Sequence, residues 1–195
     1  MNRREILQTG LASLSATALA PFAAFGQSKF PERPIRMIIP FSAGGVTDIV
    51  GRHWSERMKP VLGTIYTENQ GGGAGIMGVS EVARAQPDGH TIMLGNTSVT
   101  VLHPMTAPKL PYDPGRDFAP IAIIAVAATE LVVHSYVPAK TVKEFVDYAK
   151  ANSGKLSYGS AGTGTMTHLA GEQFKQLTGL TELTHVPYKI GRAHV

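Results

Sequence analysis

Ile35-Arg36-Met37-Ile38-Ile39-Pro40-Phe41-Ser42-Ala43-Gly44-Gly45-Val46-Thr47-Asp48 opens as a short β-rich run, breaks into a glycine loop and ends on helix-capping residues. Ile35 to Ile39 has the composition of a buried parallel strand. Thr47 or Asp48 can cap a helix running to about Val61, with Ile49, Val50, His53, Trp54, Arg57 and Met58 as its apolar stripe and Trp54 in the core. A glycine loop between strand and helix is an anion site in outline, because the first N–H groups of a helix lack partners and its dipole favours negative charge there. A second loop of this kind, Tyr158-Gly159-Ser160-Ala161-Gly162-Thr163-Gly164-Thr165, lies more than a hundred residues further on. Neither loop holds a Lys or Arg. Two such loops facing each other would grip a small anion through backbone and hydroxyl groups.

The alternation continues outward from the first loop. Thr64 to Thr67 reads as a strand, Gly71 to Gly75 as a loop, Ile76 to Ala85 as a short helix, and Thr91 to Leu94 as a strand after the turn Pro87-Asp88-Gly89. Residues 97–118 are proline-rich and irregular. The apolar runs Ile121 to Ala128 and Leu131 to His134 follow. Thr141-Val142-Lys143-Glu144 is a capping box for a helix to about Asn152, ended by Gly154. Leu156 to Tyr158, Met166 to Leu177 and Leu183 to Val186 read as strand, helix and strand. Alternating βα units predict an α/β fold with parallel sheets, whose ligands bind beyond the carboxyl ends of the strands. Both glycine loops lie at that edge.

The N-terminus predicts export. Arg3 and Arg4 are followed by an uncharged stretch from Ile6 to Ser28, with an Ala- and Leu-rich part from Leu11 to Phe25 and small residues at Ala24-Phe25-Gly26. This is the order of a secretory signal over residues 1–26. The arginine pair fits a twin-arginine signal as well as an ordinary one. Ser13, Ser15, Thr17 and Pro21 interrupt the stretch and argue against a membrane span, which needs about 20 mostly apolar residues. The absence of cysteine excludes disulfides and thiolate metal sites. The signal carries Arg3, Arg4 and Glu5, leaving 16 basic and 13 acidic residues scattered singly or in pairs. That balance gives no footprint for nucleic acid.

Five motifs then recur in one order: Pro31-Glu32-Arg33-Pro34-Ile35, the loop Pro40 to Asp48, Pro87-Asp88-Gly89-His90-Thr91, Ser157 to Thr165 with His168-Leu169, and His185-Val186-Pro187-Tyr188-Lys189. From about Phe30 to Lys189 the chain resembles the periplasmic solute-binding receptors of tripartite tricarboxylate transporters, often called the Bug family. The resemblance implies a two-lobe α/β flytrap of the periplasmic-binding-protein kind. Its first lobe would span residues 27–126 and a partial second lobe residues 127–189. It implies a small carboxylate as ligand, the membrane subunits of a transporter as partners, a monomer, no cofactor, no metal and no catalysis. Residue by residue, ligand contacts carry over to Phe41, Ser42, Ala43, Gly44, Gly45 and Asp48, and to Ser160, Ala161, Gly162, Thr163, Gly164 and Thr165. Asn96, Thr97 and His168 are further candidates. Asp48 fits a helix cap better than a ligand contact, since a carboxylate repels an anion, and His168 fits simple packing too.

After Lys189 the resemblance breaks. Ile190-Gly191-Arg192-Ala193-His194-Val195 reads as the translation of a sequencing-adapter oligonucleotide, so residues 190–195 are expected to be foreign and the second lobe incomplete. Two enzyme readings fail. Gly73-Ala74-Gly75-Ile76-Met77-Gly78 has the spacing of a dinucleotide fingerprint, but no acidic residue occurs between Asp88 and Asp113 to hold a ribose. Gly159-Ser160-Ala161-Gly162 lacks the spacing of a nucleophile elbow, and no two histidines stand four apart. A periplasmic sensor subunit would use the same cleft as a transport receptor, and the sequence does not separate the two.

Overall fold

The computed structural model describes residues 30–188. The chain divides into two units, Met1–Glu32 and Arg33–Val195. Of the first unit only residues 30–32 are described, and they form neither helix nor strand. The expected signal peptide and the arginine pair lie outside the described residues, as do Lys189 and the tail 190–195.

Strand β1 (Ile35–Ile39) is the centre of a parallel sheet, with β2 (Ile65–Asn69) on one side and β3 (Thr91–Met93) on the other. Ile35 stands opposite Ile65 and Ile39 opposite Asn69, while Arg36 pairs with Thr91. Parallel neighbours need crossover connections. These are helix α1 (Val46–Leu62) and helix α2 (Ile76–Ala83), the latter entered through a 3₁₀ turn at Gly73–Gly75. A strand covered on both faces reads as a continuous apolar run, and Met37, Ile38 and Ile39 are all buried. Arg36 is the polar exception. Its guanidinium bridges Glu68 of β2 and Glu81 of α2, and it holds the Glu68 carboxyl below its usual range.

The buried face of α1 differs from the expected stripe. Asp48, Gly51 and Ser55 are buried and Trp54, Met58 and Leu62 pack against the core, whereas Ile49, His53 and Arg57 are exposed. The reason is close packing through small residues. A Cβ on Gly51 would stand 2.8 Å from Leu94 Cδ2 and 2.9 Å from Ile39 Cδ1, so the helix lies almost on the sheet there. The helix also begins earlier than Thr47 or Asp48, with Gly45 in the N-cap position.

The second sheet pairs β4 (Ser157–Ser160) with β5 (Thr184–Pro187), also in parallel. Helices α4 (Val142–Ala151) and α5 (Met166–Thr178) accompany it; α3 is the short helix His103–Thr106 in the first half. Phe145, Ala149, Leu180 and Leu183 form its own core, with Phe174 stacked on Phe145 at 6.1 Å. One half of the capping box forms as read, and the Glu144 carboxylate reaches one residue past the N-cap, to Lys140 instead of Thr141. The Glu144 N–H donates to Thr141 Oγ1 at 3.2 Å, and the Lys140 N–H donates to Glu144 Oε2 at 2.7 Å.

The stretch 97–118, expected to be irregular, holds a π-helical turn at Ser98–Leu102 that runs into α3. Residues 107–141 contain neither helix nor strand. Both apolar runs fall there, and Ile121, Ile123 and Val126 are more than 80% exposed. A strand needs a neighbour for its backbone groups, and among the described residues none pairs with this segment.

Candidate functional site

The two glycine loops follow the carboxyl ends of β1 and β4, each leading into a helix N-terminus. At the first, Phe41 is buried, Ser42 and Gly45 are half-buried, and Ala43 and Gly44 are exposed. Gly45 caps α1 with extended backbone and no side-chain bond. Gly44 has φ +85°, a conformation that favours glycine. Asp48 holds the loop from inside the helix. Its carboxylate accepts from the Gly44 N–H at 2.9 Å, from Arg52 Nε at 3.0 Å and from Asn69 Nδ2 at 2.9 Å. Asn69 Nδ2 also donates to the Phe41 carbonyl at 3.1 Å. Burial pushes the Asp48 carboxyl up, but Arg52, the Gly44 N–H and Asn69 together outweigh it and hold the group ionised, below its ordinary value. Its charge is spent on Arg52 and the loop backbone, which removes the repulsion expected between Asp48 and an anion.

At the second loop the protein already occupies most backbone donors. The Ala161 N–H donates to Thr167 Oγ1 at 2.9 Å, Gly162 N–H to Ser160 Oγ at 3.1 Å, and Gly164 N–H to His168 Nδ1 at 3.2 Å. Thr165 is buried and its hydroxyl donates to the Gly162 carbonyl at 2.6 Å. Thr163 is the exposed tip. Ser160 is buried against His185, whose Nε2 lies 2.6 Å from Ser160 Oγ. The His185 ring also packs on His168, centroids 4.2 Å apart. Burial and the neighbouring His168 push His185 below its ordinary value. His168 thus buttresses the loop from behind. His185 is a site residue beyond the expected candidates, and its signal in the sequence is the motif His185 to Lys189, which overlaps β5.

Asn96 and Thr97 stand where β3 gives way to the π-helical turn. Asn96 Oδ1 accepts from the Ser98 N–H at 3.0 Å, which starts the turn, and Thr97 is exposed.

The loop 71–75, expected only as a connection and not among the candidate site residues, brings the two glycine loops together. A Cβ on Gly75 would lie 3.1 Å from the Pro40 carbonyl and 3.3 Å from the Phe41 ring, and one on Gly71 would lie 3.4 Å from Ser42 Oγ. A Cβ on Gly162 would lie 3.1 Å from Ala74 Cβ. The segment 71–75 therefore sits between the first loop and the second. Ala74 has φ +54°, uncommon for a residue with a side chain. The glycines that imitate a dinucleotide fingerprint serve this packing; a Cβ on Gly78 would stand 2.6 Å from the Gln70 carbonyl. From the π-helical turn, Ser98 Oγ accepts the Met166 N–H at 3.1 Å. Among the described residues no group of three or more His, Asp or Glu is placed to hold a metal ion, and no helix is long and apolar enough to cross a membrane.

Residues 50–194 match the family described as "Tripartite tricarboxylate transporter family receptor". The chain belongs to this receptor family. Solved structures agree with that membership. Rpa4515 of R. palustris, solved with adipate, is 32% identical with a TM-score of 0.79, over 82% of this chain and 54% of that one. The periplasmic binding protein BugD is 38% identical with a TM-score of 0.72, over 82% and 53%. MatC of Rhodopseudomonas palustris, with bound malate, is 30% identical with a TM-score of 0.71, over 82% and 54%. The fold is that of two-lobe periplasmic binding proteins. The chain spans about half the length of the curated relatives it matches.

Proposed function

We propose that the whole protein is an exported periplasmic receptor that closes on a small dicarboxylate and delivers it to the membrane subunits of a tripartite tricarboxylate transporter, without catalysis or cofactor. One observation carries the reading. Two uncharged glycine loops, each at the carboxyl end of a parallel strand and the start of a helix, are joined through Ala74 and Gly162. The adipate and malate bound to two similar proteins supply the chemical class of the ligand.

Energetics favour two loops acting on one ligand. A helix N-terminus contributes about 0.3–1 kcal/mol to an exposed anion and about 2 kcal/mol in a partly buried geometry. Micromolar binding requires about 8 kcal/mol. The difference is made up when both loops engage the same molecule and exclude water, because charge–dipole interactions strengthen as the local dielectric falls. Phe41, Ser42, Ala43, Gly44 and Gly45 form one wall, with Asp48 as its internal brace. Ser160 to Thr165 form the other, braced by His168 and His185. Asn96 and Thr97, at the carboxyl end of β3 beside β1, are the further candidates.

A thermal-shift screen of C4 to C6 dicarboxylates on the whole protein tests this. A ligand at 100 times its dissociation constant stabilises by about 2.7 kcal/mol, a readable rise in Tm. No rise with any dicarboxylate in a folded protein would remove the reading.

A further inference from the structure

His103 is 2% exposed, and both its ring nitrogens lack a hydrogen-bond partner among the described residues. It is the first residue of α3, directly after the π-helical turn that carries Ser98. Its ring edge faces the second glycine loop. A Cβ on Gly164 would lie 3.3 Å from His103 Cδ2 and 3.6 Å from Nε2, with Thr106 Oγ1 at 3.5 Å. Close by, the first N–H of α5 already reaches Ser98 Oγ. An imidazole nitrogen in an apolar interior normally finds a partner, because leaving one unpaired is costly. Burial holds the ring neutral, so it offers one N–H donor and one acceptor without bringing a cation.

We infer that His103 is a ligand-contacting residue: its ring N–H donates to a carboxylate oxygen of the bound dicarboxylate at the junction of the π-helical turn and the Gly162–Gly164 loop. The inference rests on the receptor reading above. It adds a side-chain donor to a site otherwise built of backbone and hydroxyl groups. The position suits that role. His103 belongs to the half of the chain that carries the first loop, yet touches the second, so a contact there forms only when both walls are in place. A neutral ring also discriminates by geometry, since its N–H has one direction where an ammonium has three.

Calorimetric titration of the whole protein with adipate and with malate tests this, using His103→Phe and His103→Gln beside the unaltered protein. The Phe variant keeps the ring volume and removes both nitrogens; the Gln variant keeps an N–H donor. The expected result is at least a tenfold loss of affinity in His103→Phe, partial recovery in His103→Gln, and a Tm of the unliganded Phe variant no lower than that of the parent. Unchanged affinity in a folded Phe variant overturns the inference and leaves the receptor reading standing. Absence of binding of every C4 to C6 dicarboxylate by the unaltered, folded protein overturns both. If the Phe variant does not fold, ¹⁵N spectra of the histidine side chains in the unaltered protein decide the matter. A His103 ring resonance that moves on saturation with the binding dicarboxylate supports the contact, and one that stays in place overturns it.

Discussion

The backbone N–H of Met166, the first residue of α5, donates to the hydroxyl of Ser98 at 3.1 Å across 68 residues of sequence. The two residues stand in different halves of the fold, each with its own sheet and core. The bond satisfies one of the orphan donors of a helix start, and Ser98 is buried at 4% exposure. Ser98→Ala leaves that N–H without its partner. Met166 is itself 41% exposed, so water can reach the freed N–H and the expected cost is the net worth of one hydrogen bond, about 0.5–1.5 kcal/mol, read as a lower urea midpoint at unchanged slope.

Gly45 has extended backbone at φ −78°, which a β-branched residue adopts without strain. Gly45→Val should therefore leave a folded protein. The new side chain would stand at the N-cap of α1, where the proposed site receives its carboxylate, and carboxylate binding should weaken at least tenfold, about 1.4 kcal/mol. Titration calorimetry on a variant with a native circular-dichroism spectrum makes the check; unchanged affinity would take this loop out of the site.

Asp48 is a stability element with a pH signature. Its folded-state pKa lies below the ordinary 3.8. Its contribution is thus fully present above pH 3.8 and is lost as pH falls through the lower folded-state value. Asp48→Asn should destabilise by about 1–3 kcal/mol at pH 7, the range for a broken buried polar network. The difference from the parent should narrow below about pH 3.8. Urea unfolding of both proteins from pH 7 down to pH 3 gives the comparison, and a gap independent of pH would mean that the ionised carboxylate is not what stabilises the loop.

How much of this was readable beforehand differs from residue to residue. The strand β1, the glycine loops and the Thr141–Glu144 box announce themselves, because each is a local pattern whose cause lies within a few residues. The packed face of α1 did not, since Gly51 and Ser55 are chosen by the distance to Leu94 and Ile39 and not by hydrophobicity. The run 73–78 was set aside once it failed as a cofactor loop, yet Ala74 is what meets Gly162. Ser98 and His103 lay in a stretch that proline content marked as irregular. Their importance comes from contacts 68 and about 60 residues away, which no window along the chain contains. The apolar runs at 121–134 carry a signal for burial that the described residues do not fulfil.

Gly164 tests the closeness of the two halves independently of any ligand. Its φ is +80°, and a methyl group there would meet His103 Cδ2 at 3.3 Å. Gly164→Ala should cost about 1–3 kcal/mol from the strained backbone alone, with further loss where the ring cannot yield. Gly179 also has positive φ but nothing within 4 Å of its missing Cβ. Gly179→Ala should therefore show the backbone cost only, and equal losses at the two sites would mean that the contact with His103 carries no weight.

The central claim is that both glycine loops hold one ligand, one at each end. Calorimetric titration of the whole protein with adipate and with hexanoate, which keeps the chain and lacks one carboxylate, addresses it most directly. The account predicts saturable one-to-one binding of the diacid and at least tenfold weaker binding of the monoacid, about 1.4 kcal/mol or more. Equal affinities for the two acids, or no binding of either by a folded protein, would contradict it.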